Sequence, residues 1–319
     1  MTDSTTSAAP AETAPRRVAV VGLGNMGGPM AANLVKAGHQ VTGFDLVPAA
    51  LESARAAGVT VATSGADAVR AADIVITMLP AGRHVLSAYQ GSDGVEGLLA
   101  AAQPGTVFVD SSTIDVADAR TAAAAAAAAG HRALDAPVSG GTVGAAAGTL
   151  TFMVGATDED FAEVQPVLSA MARKVVHCGS SGAGQAAKVC NNMILGVSMI
   201  AVSEAFVLGE ALGLTNEALF EVASNATAQC WALNTNCPVP GPVPTSPANR
   251  DFAPGFAAAL MAKDLGLAAN AVSASGVDAQ LGLAAARIYT ELAGGDRAGQ
   301  DFSTVINVIR EHSAAQADS

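Results

Sequence analysis

The segment Val18-Ala-Val-Val-Gly22-Leu-Gly24-Asn-Met-Gly27 is the most informative part of this chain about its fold. It connects an apolar run, which predicts a strand, to a helical pattern over residues 26–37, and its glycines have the spacing GxGxxG. In this arrangement the first glycine allows a tight turn, the second lets a pyrophosphate approach the backbone, and the third lets helix and strand pack closely. The stretch therefore predicts a dinucleotide site with cofactor contacts at Gly22, Leu23, Gly24, Asn25, Met26 and Gly27.

A carboxylate follows the glycines at the distance that a ribose-binding group requires. The second predicted strand covers residues 41–45 and ends in Asp45, roughly 20 residues beyond the glycines. A carboxylate there accepts hydrogen bonds from ribose hydroxyls and repels the 2′-phosphate of NADP. Because no arginine closely follows Asp45 to offset its charge, we expect NAD as the cofactor.

Strand and helix patterns alternate as far as residue 180. Apolar runs predict further strands over 59–62, 73–79, 106–110, 134–136, 150–154 and 174–177, and helical patterns cover 49–57, 66–71 and 116–129. Strands that are apolar on both faces belong in a parallel sheet covered by helices. We therefore expect an α/β chain whose N-terminal domain, residues 16–180, is doubly wound and of Rossmann type.

The pattern changes after residue 180, where we expect an all-α domain over residues 181–319. One long helix, predicted over 184–212, joins it to the first domain, and helical patterns follow at 217–225, 256–274, 279–292 and 302–311. A proline-rich loop separates two of them, at residues 237–254. At the other end of the chain, residues 1–15 are rich in Ala, Ser, Thr and Pro and are predicted to be a disordered tail.

Charge and apolar patterning restrict the partners. The formal net charge is -12, which disfavours nucleic-acid and membrane-surface binding. The apolar segment over 193–214 is long enough to span a membrane, but it contains Glu204 and Glu210, so we expect it to be buried in protein. Since one small domain cannot cover a helix that is apolar on most faces, we expect a homodimer or a homotetramer.

The cysteines indicate a reducing compartment. The chain contains four, Cys178, Cys190, Cys230 and Cys237, which form no CxxC pair and have no histidine cluster at zinc spacing. We therefore expect reduced thiols, no metal and a cytoplasmic location.

Two predicted strand exits contribute further candidate cofactor contacts. Leu79 and Pro80 end the fourth strand, and Thr113 follows the fifth, where it can hydrogen-bond the nicotinamide ribose. Both exits lie at the carboxyl edge of the sheet, where ligands bind in this fold. Taken alone, each is equally typical of an ordinary strand end.

A serine followed by two glycines, Ser139-Gly140-Gly141, is a candidate substrate site. Adjacent glycines let backbone N–H groups converge on one anion, and the serine hydroxyl adds a donor, so a carboxylate suits the segment. Without further context, a flexible loop is the more usual interpretation.

A lysine and an asparagine share one face of the long predicted helix. Lys188 and Asn192 are four residues apart, in the segment Gly184-Gln-Ala-Ala-Lys188-Val-Cys-Asn-Asn192. Apolar neighbours remove water from a lysine and lower its pKa, which allows it to take a proton from an alcohol and return it. Asn192 can orient the same oxygen. For a single lysine, a side chain that extends from a buried helix towards water is the commoner case.

A second lysine, Lys263, can close over the cofactor, although an exposed lysine paired with the neighbouring Asp264 is the plainer interpretation.

Together these motifs resemble the β-hydroxyacid dehydrogenases, most closely the branch that acts on 3-hydroxyisobutyrate. The resemblance covers residues 17–310 and depends on VGLGNMGGPMAANLVKAGH from Val21, DAPVSGGTVGA from Asp135, GTLTFMVG from Gly148, GQAAKVCNNM from Gly184 and LMAKDLGLA from Leu260. The loop NCPVPGPVPTSPANRDF resembles that branch in particular. The motifs are specific jointly rather than singly.

The resemblance implies a role for each candidate residue. Lys188 would be the catalytic acid/base and Asn192 its polar partner, and Ser139, Gly140 and Gly141 would hold the substrate carboxylate. Cofactor contacts would fall on the Gly22–Gly27 loop, Asp45, Leu79, Pro80, Thr113 and Lys263.

The implied reaction is NAD-dependent oxidation of 3-hydroxyisobutyrate to methylmalonate semialdehyde, a step of valine catabolism. Other acids of the same family stay open, namely tartronate semialdehyde, 3-hydroxypropionate and a serine-like substrate. An imine reductase on the same fold is disfavoured because Lys188 is present. A non-catalytic NAD sensor needs no acid/base group, so the lysine–asparagine face disfavours it as well.

Overall fold

The computed structural model describes residues 14–92 and 94–317. The predicted disordered tail lies outside the described residues, apart from Ala14 and Pro15.

The strands of the described part all lie between residues 17 and 179. They are β1 (Arg17–Val21), β2 (Gln40–Phe44), β3 (Thr60–Val61), β4 (Ile74–Thr77), β5 (Gly91–Ser92), β6 (Val95–Glu96), β7 (Val107–Asp110), β8 (Arg132–Asp135), β9 (Val138–Ser139), β10 (Leu150–Gly155) and β11 (Ala172–Gly179).

Helices alternate with these strands and then form the second half of the chain. Those among the strands are α1 (Gly27–Lys36), α2 (Pro48–Ala56), α3 (Gly65–Val69), α4 (Gly82–Gln90), α5 (Leu98–Ala101), α6 (Val116–Ala128), α7 (Gly141–Ala147) and α8 (Asp158–Ser169). The others are α9 (Ala183–Ala211), α10 (Asn216–Asn225), α11 (Trp231–Asn234), α12 (Ala258–Ser275), α13 (Gln280–Ala293) and α14 (Val305–Ala317), with short 3-10 turns at Pro247–Arg250 and Phe302–Thr304.

The main sheet has the order β11-β10-β8-β7-β4-β1-β2-β3. From β3 to β8 the neighbouring strands are parallel, and the chain crosses from one side of β1 to the other between β3 and β4. In such sheets ligands bind at the carboxyl ends of the strands beside this reversal, here between β1 and β4. The predicted fold class, a Rossmann-type domain followed by helices, is confirmed.

One part of the predicted sheet is wrong. We expected parallel strands throughout, but β10 is antiparallel to β8 and β9, and only β11 runs parallel to β10. The connection from β8 contains β9, which pairs directly with β10, so the chain turns back instead of crossing over the sheet. This reversal places the segment Ser139-Gly140-Gly141 at the start of α7.

Apolar layers cover both faces of the sheet. Met30 and Leu34 of α1 pack on one face with Phe152, and Tyr89 of α4 packs on the other with Phe108. The helices α4 and α8 are not among those predicted from the sequence, and each buries only three of its residues. The sheet is therefore held rigidly from both sides.

The long helix α9 is packed on one side and open on another. Met199 and Phe206 are fully buried, whereas the Leu212 side chain that follows the helix is 73% exposed and Ile194 is 64% exposed. An 18-residue window of α9 has a mean hydropathy of 1.7, so by length and composition alone it passes the test for a membrane span, as core helices of soluble proteins also do.

Candidate active site

The glycine loop between β1 and α1 has the geometry that a pyrophosphate requires. Gly22 has a φ of 95°, which favours glycine, and a Cβ at Gly27 would collide with the Gly22 carbonyl. At Gly24, by contrast, no atom of the described residues other than those of Gly24 and its two chain neighbours lies within 4 Å of the position of a Cβ. The first and third glycines are needed by the fold itself, and the open second position fits a phosphate group.

Asp45 lies beside this loop, at the end of β2. One of its carboxylate oxygens accepts a hydrogen bond from the Leu23 N–H at 2.6 Å, and the other accepts one from the Val47 N–H at 2.8 Å. The side chain is half-buried. A carboxylate in this position suits ribose hydroxyls and repels a 2′-phosphate, so the loop fits NAD.

The exits of β4 and β7 are joined by a buried hydrogen-bond network centred on Asp110. Its Oδ1 accepts hydrogen bonds from the hydroxyls of Thr77 at 2.7 Å and Ser112 at 2.6 Å, and burial raises the pKa of Asp110 to about 6. The Ser112 hydroxyl in turn accepts a hydrogen bond from the Leu79 N–H at 2.8 Å. The predicted contacts at Leu79 and Thr113 therefore lie on the same edge of the sheet, where hydrogen bonds join the exits of β4 and β7.

The predicted anion nest is an ordered turn between β9 and α7. Gly140 and Gly141 have φ values of 134° and 61°, conformations that favour glycine. The carbonyl of Gly255, in the loop before α12, lies 3.3 Å from where a Cβ of Gly141 would be. No hydrogen bond within the described residues joins this nest to Lys188 or Asn192, so its role stays a prediction.

The catalytic candidates lie in a buried polar pocket between α9 and α12. Lys188 is 7% exposed and Asn192 is 2% exposed. The Asn192 Nδ2 donates a hydrogen bond to Asp264 Oδ2 at 2.5 Å, and Asp264 is itself 6% exposed. Burial lowers the pKa of Lys188 below its ordinary 10.5, and the neighbouring Asp264 carboxylate partly opposes this shift.

Lys263 connects this pocket to the cofactor edge. Its Nζ donates a hydrogen bond to the Thr113 carbonyl at 2.8 Å. Burial lowers the pKa of Lys263, and the carboxylates of Asp264 and Asp110 oppose that shift. The plainer interpretation, an exposed lysine paired with Asp264, is wrong, because the side chain is half-buried and reaches across to the loop after β7.

Three side chains of this region were not predicted from the sequence. Asp264 was considered only as a surface partner of Lys263. Asp135, at the end of β8, accepts hydrogen bonds from the N–H groups of Gly182 at 2.6 Å and Gln185 at 2.8 Å, and so holds the start of α9. Gln185 is fully buried against the loop after β7. All three lie inside the motifs quoted above, which was the available signal. Their roles could not be predicted because their hydrogen-bond partners are distant in sequence.

Two family profiles together cover most of the chain. The profile of the NAD binding domain of 6-phosphogluconate dehydrogenase matches residues 17–179, and the profile described as NAD-binding of NADP-dependent 3-hydroxyisobutyrate dehydrogenase matches residues 182–309. A probable 3-hydroxyisobutyrate dehydrogenase of Mycobacterium tuberculosis is 57% identical over 302 residues, which cover 95% of this chain and 99% of the relative. This chain belongs to the 3-hydroxyisobutyrate dehydrogenase family.

Solved structures and a further relative agree with this assignment. The M. tuberculosis 3-hydroxyisobutyrate dehydrogenase with L-serine has a TM-score of 0.89 and 57% identity to this chain, covering 93% of it and 100% of that structure. An NAD-dependent L-serine dehydrogenase of Pseudomonas aeruginosa is 48% identical over 290 residues, which cover 91% of this chain and 96% of the relative. An imine reductase from a Pseudomonas species, at 15% identity and a TM-score of 0.60, shares the fold.

Membership of the 3-hydroxyisobutyrate dehydrogenase family confirms the expected class of enzyme, an NAD-dependent oxidoreductase. One of the two profiles carries the name of an NADP-dependent enzyme. In this chain the Asp45 carboxylate, directly beside the glycine loop, favours NAD.

Proposed function

We propose that this enzyme oxidises 3-hydroxyisobutyrate to methylmalonate semialdehyde, with Lys188 as the general acid/base. The observation that carries the proposal is the buried Lys188 amine, which shares a helix face with Asn192 and lies near the lysine that contacts the cofactor edge. Burial disfavours the charged form of an amine, so a neutral Lys188 is accessible at lower pH than for a lysine in water.

In the proposed reaction the substrate loses a proton and a hydride. Lys188 takes the proton from the hydroxyl group while the C–O bond becomes a carbonyl. The Gly22–Gly27 loop and Asp45 would hold NAD, which would supply the acceptor for the hydride of the carbinol carbon. Asn192 orients the substrate oxygen through the Nδ2 hydrogen that it does not donate to Asp264. In the reverse direction, Lys188 returns its proton to the forming alkoxide.

The substrate carboxylate is proposed to bind Ser139, Gly140 and Gly141. The positive φ values of both glycines support this, because successive residues in such a turn can present their N–H groups to a single anion. The half-buried Ser139 hydroxyl adds a donor at the same place.

L-serine is the second candidate substrate. It is also a small 3-hydroxy acid, and it is named with the M. tuberculosis structure and with the P. aeruginosa relative. The test is the oxidation of 3-hydroxyisobutyrate, L-serine and 3-hydroxypropionate, each with NAD and with NADP, together with the reduction of tartronate semialdehyde with NADH and with NADPH. We expect the highest kcat/KM for 3-hydroxyisobutyrate with NAD. A higher value for L-serine would replace the proposed substrate, and turnover of none of the four would contradict the proposal.

We also propose a pathway, a cellular location and an oligomeric state for this enzyme. Oxidation of 3-hydroxyisobutyrate would place the enzyme in valine catabolism, and the scattered free cysteines support a cytoplasmic location. The exposed apolar side chains Ile194, Leu208 and Leu212 along α9 support a homodimer or a homotetramer. Sedimentation equilibrium tests the assembly, and a monomer at micromolar concentration would contradict it.

A further inference from the structure

A buried glutamine joins the catalytic helix to the cofactor edge. Gln185 is 0% exposed and lies three residues before Lys188, within the first turns of α9. Its Oε1 accepts a hydrogen bond from the Ile114 N–H at 3.2 Å, and its Nε2 donates one to the Ser112 carbonyl at 2.7 Å. One side-chain amide thus satisfies two backbone groups of the loop that follows β7.

Thr113 lies between these two residues, and its backbone is bound by a side chain from the helical half of the chain. The Thr113 carbonyl accepts a hydrogen bond from Lys263 Nζ at 2.8 Å. The side chain of Ser112 meanwhile accepts a hydrogen bond from the Leu79 N–H, at the exit of β4. Gln185 is therefore linked to both strand exits at which cofactor contacts are predicted.

The helix that carries Gln185 is itself fixed in place. Asp135 accepts hydrogen bonds from two N–H groups at the start of α9, and a Cβ at Gly184 would collide with the Met153 carbonyl of β10. With its end held in this way, α9 has little freedom to shift, so the contacts of Gln185 determine where the loop after β7 lies relative to Lys188.

We propose that Gln185 is a positioning residue for hydride transfer, which holds the Ser112–Ile114 loop at a set distance from Lys188. This inference rests on the proposed role of Lys188. A primary amide suits the loop, which presents one carbonyl and one N–H group, because an amide donates to the first while accepting from the second at any pH. An ionised carboxylate can accept but not donate, and a thioether does neither usefully.

Gln185→Glu tests this requirement at nearly constant shape. Below the pKa of the new carboxyl, the protonated acid donates to the Ser112 carbonyl and restores the bridge. Above it, an ionised oxygen faces that carbonyl and repels it. We therefore expect turnover in Gln185→Glu to fall as pH rises through the new pKa, whereas oxidation by the unmodified enzyme rises with pH as Lys188 becomes neutral.

Gln185→Met tests the loss of both hydrogen bonds with similar volume. We expect kcat to fall about ten- to hundred-fold, as small misplacements of reacting groups do, with a larger deuterium isotope effect for substrate labelled at the carbinol carbon. The dissociation constant for NAD should change less than about threefold, because the glycine loop is untouched. Gln165→Met and Gln165→Glu, on the exposed side of α8, are the matched controls.

The outcomes separate the two proposals. A wild-type pH profile in Gln185→Glu, or a lower Tm with an unchanged kcat and isotope effect in Gln185→Met, would show a merely structural glutamine. If Gln185→Met does not fold, the pH profile of Gln185→Glu decides alone. Wild-type turnover in a Lys188→Met variant measured alongside would instead overturn the proposed function itself, whatever the glutamine variants do.

Discussion

The cofactor loop and the pocket proposed for catalysis are built from different parts of the chain. The loop between β1 and α1 is made of backbone, and it is open at Gly24. The pocket between α9 and α12 is made of side chains that are almost completely buried, with Lys188, Asn192 and Asp264 all under a tenth exposed. A backbone site depends on a short run of residues, whereas a side-chain site depends on the packing of distant segments. Substitutions in the two regions should therefore impair the enzyme in different ways.

The largest effect is expected at Lys188. Lys188→Met keeps most of the buried volume but removes the acid/base group, so kcat should fall about a hundred-fold or more while NAD binding stays nearly unchanged. Steady-state kinetics and NAD titration by calorimetry measure the two quantities. Lys174→Met, at an exposed position of β11, is the control. Near-normal turnover in Lys188→Met would show that the reaction does not need this side chain, and the proposed difference between the two regions would be wrong.

The glycine loop should show the opposite behaviour. Gly24→Ala has room for the added methyl group, so its Tm should stay close to that of the unmodified enzyme. The dissociation constant for NAD should rise about ten-fold, or ~1.4 kcal/mol, because the pyrophosphate can no longer approach the backbone closely. Gly27→Ala would collide with the Gly22 carbonyl and should cost about 1–3 kcal/mol of stability. Thermal unfolding and NAD titration of both variants give the comparison. Equal Tm values for the two would show that the loop tolerates side chains and is less tightly built than the geometry indicates.

The smallest effect is a shift in pH dependence at Asp264. Its carboxylate raises the pKa of Lys188 against the larger effect of burial, so Asp264→Asn should lower that pKa further. Oxidation requires the neutral amine and is lost as pH falls through the pKa of Lys188. In Asp264→Asn this loss should therefore occur at lower pH, and reduction, which needs the charged amine, should weaken near neutrality.

The kcat/KM–pH profile in both directions measures this shift. The amide introduced by Asp264→Asn would still present an oxygen to the Asn192 Nδ2, so kcat itself should change only a few-fold. Asp278→Asn, exposed before α13, is the control. A shift of the profile towards higher pH would mean that Asp264 does not act on Lys188 through its charge.

Much of the fold was predictable because its patterns are local. The first strand, the glycine turn and α1 follow one another within twenty residues, and each has its own spacing of apolar residues and glycines. The direction of β10 was not predictable, because it depends on whether the chain after β8 crosses the sheet or, as observed, continues through β9 and then turns back to pair with both strands. Apolar periodicity is the same in both cases.

In the candidate site too, features that depend on local spacing could be predicted and contacts between distant segments could not. Lys188 and Asn192 share a helix face by spacing alone, so they could be named from the sequence. Their partners could not, since the Asn192–Asp264 contact spans 72 residues and the contact of Gln185 with Ser112 spans 73.

By itself the sequence determined which residues are chemically able to bind a dinucleotide and to move a proton, because glycine conformational freedom, a terminal carboxylate and helical spacing are local properties. Tertiary structure alone decided the surroundings of the Lys188 amine and the attachment of its helix to the strand exits. A pKa and a hydrogen-bond partner depend on what surrounds a group in space, and for α9 that surrounding comes from β7, β8 and α12.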